Sequence, residues 1–334
     1  MRKHWRLSSL VMLWVCAASV LWGGAPEIDE QLTAKRRVFS GVGPGLRAVR
    51  HGTNGNYYVL AAVGVAVFDP QMKRLRMFGA PDEVLSGHKA APGLIGSGED
   101  CDVDEKGNIY VADRAYNQIT EFAPDGKVLR SFPVNAPTSL AVLPGGETAV
   151  TSLQQRALVA VYGASGKLAR EFGEPESLST RAELDRYVNF GRLNSDPQGH
   201  VYFGFTYLPE PTVRQFDHGG FLKMTFEFTG VDAFAEAQAL RKEIERQETR
   251  KEPPFLRPIL TAFGVDPVNG DLWMALHNTL LHFDKEGIRR SEYQIYTPNG
   301  TRLEANVILV EEERLLIGAD PLGVYEFARP DKVH

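Results

Sequence analysis

The sequence predicts an all-β protein, a six-bladed β-propeller in which an N-terminal strand closes the last blade and a helical insertion separates blades four and five. Three observations support this fold. One unit of four short strands recurs six times, the Gly-containing turns of the copies fall in register, and the last copy is one strand short. Recurrence of a supersecondary unit is typical of propellers and solenoids, and closure of a ring explains the short copy.

The second copy shows the unit most clearly. It runs from Cys101 to Pro133, and the turn pairs Lys106-Gly107 and Asp125-Gly126 separate runs of β-branched and aromatic residues. Runs of this length, bounded by Gly and Asp, are typical of consecutive antiparallel strands. The six copies begin at Val49, Cys101, Ser139, Arg192, Ala262 and Asn306.

The sixth copy needs an additional strand, because an unpaired outer edge is an aggregation hazard. The segment Lys35–Ser40 resembles the outer strands KRLRMFG and KLAREFG in the placement of its charges and its aromatic residue. We therefore predict that this segment completes the last blade. An open solenoid is the alternative.

The N-terminus has the pattern of an export signal. Arg2, Lys3 and Arg6 precede an apolar run over residues 10–22, and small residues up to Ala25 follow. This order is typical of a secretory signal peptide, so we expect residues 1–25 to be a signal and residues 36–334 to be the propeller. We expect a periplasmic or secreted, monomeric protein without a later membrane span, or one anchored at its N-terminus if the signal is not cleaved.

The net charge argues against a nucleic-acid partner. The formal net charge is -5 and the pI is about 6.0, whereas proteins that bind nucleic acids through phosphate contacts carry a basic surface. The partner is instead expected to be a protein, a peptide or a small polar ligand.

The string DVDEKGNIYVADRAYNQITEF, from Asp102 to Phe122, resembles an NHL repeat, and the six copies together resemble secreted bacterial NHL-type six-bladed propellers. In such repeats the acid of the VAD string, here Asp113, serves as an acceptor for turn amides. Six-bladed relatives include metal-dependent lactonases, which resemble gluconolactonase, and amidating lyases. These relatives hold a divalent metal at the channel through residues of the inner strands.

The candidate site lies on the face that carries the long loops between blades. Inner strands of a propeller begin at one mouth of the channel, and the long loops lie on the same face, where binding residues are usual. The candidate residues are Glu99, Asp100, Arg114, Tyr116, Arg192, Tyr207, His277 and Asn306. The charged residues at the mouth could bind a small polar ligand or satisfy one another around channel water.

Two loops on this face carry helical patterns. Thr180 and Glu183 have the spacing of a capping box at the start of a helix that ends at Val188. A second helix is expected over about residues 232–250, with an apolar stripe that includes Leu240 and Ile244. Its expected role is to brace blades four and five, and a lid or a partner dock is the alternative.

These observations favour a noncatalytic extracytoplasmic binding or scaffold propeller. The alternative is a metal-dependent lactonase-like hydrolase or lyase at the channel mouth, for which Asp100 and Asn306 are the metal-ligand candidates. No cofactor is predicted under the first hypothesis, and a divalent metal is expected under the second. The set of ligands is incomplete, because Ser139 and Ala262 stand where further ligands are needed.

Overall fold

The structure is a computed structural model that describes residues 30–332 except 43, 63, 81–92 and 230, and only the backbone of 231–234. The predicted signal peptide lies outside the described residues. Two strands precede the repeats, β1 (Glu30–Thr33) and β2 (Arg36–Val38). Blade one contains β3 (Ala48–His51), β4 (Tyr57–Ala61), β5 (Gly64–Phe68) and β6 (Arg74–Phe78).

Blade two contains β7 (Gly98–Val103), β8 (Ile109–Asp113), β9 (Gln118–Phe122) and β10 (Val128–Pro133). Blade three contains β11 (Pro137–Val142), β12 (Thr148–Ser152), β13 (Val159–Tyr162) and β14 (Leu168–Phe172). Helix α1 (Ala182–Val188) precedes blade four, which contains β15 (Gly191–Ser195), β16 (Val201–Phe205), β17 (Thr212–Phe216) and β18 (Leu222–Glu227).

Helix α2 (Val231–Gln247) joins blades four and five. Blade five contains β19 (Ala262–Val265), β20 (Leu272–Leu276), β21 (Thr279–Phe283) and β22 (Arg289–Tyr296). Blade six contains β23 (Val307–Val310), β24 (Arg314–Ala319) and β25 (Gly323–Ala328), and a 3₁₀ turn (Pro330–Lys332) follows.

The described residues form six sheets arranged as a propeller ring, which confirms the predicted fold. Within the repeats, successive strands of each sheet pair with one another, and each inner strand contacts the inner strands of the two adjacent blades. The apolar core lies between adjacent blades. Cys101 and Val111 of blade two, for example, pack in one cluster with Leu60 and Val65 of blade one. Among the described helices, none is long and apolar enough to cross a membrane.

Blade six is completed by β2, as predicted. Arg36, Arg37 and Val38 pair antiparallel with Glu326, Tyr325 and Val324 of β25. The next residue, Phe39, is 2% exposed and packs against the rings of Tyr57 and Phe68 in blade one, at centroid distances of 5.2 and 4.9 Å. The N-terminal segment therefore both closes the last blade and fills the joint with the first one.

Strand β1 is an element that the repeat pattern did not predict. It pairs parallel with β22, from Glu30 opposite Tyr293 to Thr33 opposite Tyr296, and gives blade five a fifth strand. The backbone amide of Ala34 then donates to the carbonyl oxygen of Tyr296, and that of Lys35 donates to the carbonyl oxygen of Glu326 in blade six. Residues 30–38 consequently connect the outer edges of two blades.

The two helices correspond to the predicted loops, with one correction. The capping box expected at Thr180 and Glu183 does not form, because Arg181 is the N-cap and makes no side-chain cap bond. The hydroxyl of Thr180 instead donates to Glu248 beyond α2, and the carboxylate of Glu183 accepts from Arg181. Helix α2 packs on the ring, since Leu240 and Ile244 are buried with residues of blades four and five.

The joint of blades six and one also holds a charged network. Glu311 of blade six accepts from Nδ1 of His51 at 2.8 Å when that nitrogen is protonated, from the hydroxyl of Tyr57 at 2.8 Å, and from Arg314 at 2.5 Å. Burial acts to raise the pKa of Glu311, but the donors from His51, Arg314 and Tyr57 outweigh burial and lower it to about 2. The network thus favours the ionised carboxylate across the joint.

We expect Phe39→Ala to lower the free energy of unfolding by about 3–5 kcal/mol, because it leaves a cavity between the first and last blades. Urea unfolding measures this loss. Phe221→Ala is the matched control, since Phe221 is 73% exposed, and it should change stability by less than about 0.5 kcal/mol. Equal effects of the two substitutions would contradict the closure.

We expect Glu311 to make folding stability depend on acid pH. Its pKa in the folded protein, about 2, lies below the ordinary 4.5, so its contribution is present above pH 4.5 and is lost as the pH falls towards 2. This lowering of the Glu311 pKa corresponds to about 3 kcal/mol of folding free energy. Denaturant unfolding across this pH range should show that the free energy of unfolding of Glu311→Gln falls less steeply with falling pH than that of wild type. The exposed neighbour offers the control Glu312→Gln, which should keep the wild-type slope.

Candidate functional site

The described residues at the mouth of the central channel line a small cavity. This cavity of about 40 Å³ lies between the inner strands, a space for very few water molecules. Its lining includes Arg47, Arg50, Asp100, Arg192, Thr261 and Asn306. The structure therefore brings together three of the predicted residues, Asp100, Arg192 and Asn306.

Asp100 is fully engaged by neighbouring blades. Its Oδ1 accepts from a guanidinium nitrogen of Arg50 at 3.0 Å and from the amide of Cys101 at 2.8 Å. Its Oδ2 accepts from the hydroxyl of Ser139 and from the amide of Leu140. Because the residue is 3% exposed, these bonds join blades one, two and three, and a metal ion would have to displace several of the donors.

Arg50 is a residue that the sequence reasoning missed. It contacts Asp100 and also lies 3.5 Å from Asp102. Burial acts to lower the pKa of Arg50, but the two carboxylates raise it, so the guanidinium stays charged. Strand alternation offered a signal in the sequence, because Arg50 lies two positions after Ala48, the first residue of the inner strand β3, and therefore shares its side of that strand.

The other predicted residues at the mouth also form contacts with neighbouring strands. Arg192 donates to the backbone oxygen of Glu99 at 2.7 Å, while the Glu99 side chain lies 3.8 Å from Arg114. Asn306 donates to the backbone oxygen of Leu46 at 2.9 Å. Its side-chain oxygen is buried without a hydrogen-bond partner in the described structure. Arg192 and Asn306 are thus partly committed to holding the inner strands.

Asp113 has the structural role expected of it. Its carboxylate accepts from the amides of Gly96, Ser97, Ala115 and Tyr116, at distances from 2.7 to 3.3 Å. These bonds fix the loop that carries Arg114, which is exposed, and Tyr116, which is half-buried.

Tyr207 packs against Tyr187 of α1 and against Phe190, just beyond that helix. Its ring stacks on Tyr187 at a centroid distance of 4.9 Å and contacts Phe190 at 5.8 Å. Burial raises the pKa of the Tyr207 hydroxyl, and the bond with Tyr187 raises it further. The side chain therefore packs as a neutral aromatic residue.

His277 lines a larger groove on the same face. The groove has a volume of about 540 Å³ and lies between α2 and the segment 255–259. We call it the α2 groove; its lining includes Glu236, Leu240, Glu243, Phe255, Arg257 and His277. His277 has a left-handed backbone conformation, with φ of 57°, and its carbonyl accepts from the amide of Ala305.

The wall of the α2 groove is held in place by one buried side chain. Gln247, 3% exposed, donates from Nε2 to the carbonyl of Phe255 at 2.5 Å and accepts from the Phe255 amide at 3.0 Å. The backbone of Phe255 is thereby fixed, while its side chain is 74% exposed. Arg257 is also exposed, and the described residues offer its side chain neither a hydrogen bond nor an ion pair.

The comparisons with known proteins show the same fold. No family model and no curated protein matches the chain. Streptogramin B lyase is similar with a TM-score of 0.52 and 14% identity, over 88% of this chain and 86% of the lyase. The WD40 repeats of RRP9 are similar with a TM-score of 0.56 and 11% identity, over 90% of this chain and 99% of the RRP9 chain. The extracellular domain of a one-component system from B. thetaiotaomicron is similar with a TM-score of 0.51 and 8% identity, over 86% of this chain and 33% of the other.

At these identities the similarity establishes the β-propeller and no activity, since propellers host unrelated functions. The NHL resemblance stays a prediction, and so do the binding roles of the eight candidate residues.

We expect Asp100→Ala to lower the free energy of unfolding by about 3–5 kcal/mol, because it leaves Arg50 buried without its main partner. The loss should be the same in buffer with a chelator and with added Ca²⁺, Mn²⁺ or Zn²⁺. The matched control is Glu105→Ala, which removes an exposed charge from the turn after β7 in the same blade and should change stability by less than about 0.5 kcal/mol. Thermal melts of the two variants provide the comparison. A stabilisation by metal that only Asp100→Ala abolishes would contradict the structural role.

Proposed function

We propose that this protein is a noncatalytic, extracytoplasmic binding propeller that holds a peptide segment of a protein partner in the α2 groove. The observation that carries the proposal is the contrast between two places on one face. The cavity that the described residues form at the channel mouth has a volume of about 40 Å³ and its main carboxylate is engaged by other residues, whereas the α2 groove has a volume of about 540 Å³ and carries an exposed aromatic side chain on a fixed backbone.

The chemistry of the α2 groove favours a peptide with an apolar side chain next to an acidic one. Phe255 offers apolar surface, and exposed aromatic residues at the centre of interfaces often dominate binding energy. The guanidinium of Arg257, which has no partner among the described residues, offers charge-assisted hydrogen bonds to a carboxylate. The wall needs little ordering on binding, because Gln247 already fixes the Phe255 backbone.

The similarity to the WD40 repeats of RRP9 agrees with a protein partner, since it relates this chain to another propeller built from repeats. The N-terminal pattern of basic, apolar and small residues supports an extracytoplasmic location. The similarity to an extracellular domain agrees with this location.

The alternative is a metal-dependent lactonase-like hydrolase or lyase at the channel mouth. The fold similarity to streptogramin B lyase supports it. Its metal would rely on Asp100 and Asn306, and Asp100 already accepts from Arg50, Ser139 and two amides. The metal-dependent melts of Asp100→Ala distinguish this alternative from the binding proposal.

Selection from a phage-displayed peptide library tests the proposal. Peptides that bind the wild-type chain should bind Phe255→Ala at least about tenfold more weakly, because loss of a hot-spot aromatic residue typically costs more than 1.4 kcal/mol. Phe221→Ala is the matched control. Phe221 has almost the same exposure, 73% against 74%, but lies in the turn before β18, on the opposite face of the ring.

Titration by fluorescence anisotropy measures both affinities. Peptides that lose affinity equally in the two variants would place binding elsewhere. A library that yields no peptide specific for the wild-type chain would contradict a peptide-binding function.

A further inference from the structure

Three side chains able to bind a metal meet on the face opposite the α2 groove. Asp271 precedes β20, His282 lies near the end of β21, and Asp331 belongs to the 3₁₀ turn after the last strand. One ligand atom from each of these residues lies within 4.8 Å of the others. We call these three residues the blade-five trio.

Each member of the blade-five trio is held by a neighbour. The imidazole of His282 stacks on Trp273 at a centroid distance of 4.2 Å with 9° between the planes, and its Nε2 lies 3.0 Å from Asp271. Asp271 also accepts from the side-chain amide of Asn269 at 2.8 Å and from the backbone amide of Lys285 at 3.2 Å. Both carboxylate oxygens of Asp331 accept from Arg329, Oδ1 from Nε at 2.9 Å and Oδ2 from a terminal nitrogen at 2.5 Å. Such outer contacts orient metal ligands and raise affinity.

The charges around the blade-five trio do not balance. Arg329, whose side chain is fully buried, forms ion pairs with Asp331 and with Asp266, which is 1% exposed. Among the described residues, these ion pairs and Asp271 bring three carboxylates together with the one guanidinium of Arg329, so their formal sum is -2 when His282 is neutral. Little solvent reaches these groups, and a divalent cation would neutralise them.

We propose that the blade-five trio binds one divalent transition-metal ion of the Zn²⁺ class. An imidazole nitrogen with two carboxylate oxygens is a ligand set for Zn²⁺, whereas Ca²⁺ and Mg²⁺ favour oxygen ligands alone. Because Asp331 follows blade six while Asp271 and His282 belong to blade five, the ion ties the C-terminal turn to the adjacent blade. Binding to the folded state alone therefore stabilises the closed ring.

Zinc titration of the untagged chain tests this site. Isothermal calorimetry and the zinc retained after gel filtration should give one equivalent for wild type. Asp331→Asn and His282→Gln should each weaken binding by at least about tenfold, as expected for lost ligands. His200→Gln is the matched control, because His200 forms a similar pair with Asp196 at 2.7 Å on the same face of blade four. That pair has no third metal ligand among the described residues.

Melts separate loss of the metal from loss of the fold. In a chelator, Asp331→Asn should melt within a few degrees of wild type, and only wild type and His200→Gln should gain melting temperature with Zn²⁺. If His282→Gln fails to fold, Asp331→Asn decides the result. Wild type that retains no zinc, or Asp331→Asn and His282→Gln that retain as much as wild type, would overturn the proposal.

Discussion

The pairing of β2 with β25 is the constraint on which the rest of the structure depends. Antiparallel blades present unpaired edges, and a ring is stable only when its first and last blades are joined. Here the chain returns to its beginning, so three residues of β2 supply the outer strand of blade six and Phe39 fills the adjacent joint. The channel, its two faces and the positions of both helices exist only because this closure fixes the six blades around one axis.

Buried charges join the blades at specific points. Asp100 and Arg50 connect blades one to three, Glu311 connects blades six and one, and Arg329 connects the C-terminal segment to Asp266 of blade five. Breaking such a pair leaves an uncompensated charge, so these groups specify how the blades fit together. The consequence for function is spatial. The inner charges serve the ring, and the α2 groove lies outside the channel, beside the insertion that carries α2.

The sequence predicted the elements that repeat and missed those that do not. Gly107 and Gly126 mark turns that recur in every clear copy, and six such units with a short last copy were enough to predict closure by residues near Val38. Strand β1 has no counterpart in the repeat and pairs parallel with β22, so periodicity could not reveal it. The local spacing at Thr180 suggested a cap, but Glu248, distant in the chain, competes for that hydroxyl.

The candidate site was predictable only in part. Strand register was enough to place Asp100, Arg192 and Asn306 around one channel, because inner strands begin at a common mouth. Register could not show that Arg50 and Ser139 saturate Asp100, or that Gln247 fixes Phe255 beside His277. The sequence by itself determined the number of blades, the closing strand and the face that carries the long loops, since these follow from local periodicity. Only the tertiary structure decided which polar groups are paired within the protein and which surfaces stay exposed, because those contacts join residues that lie far apart in the chain.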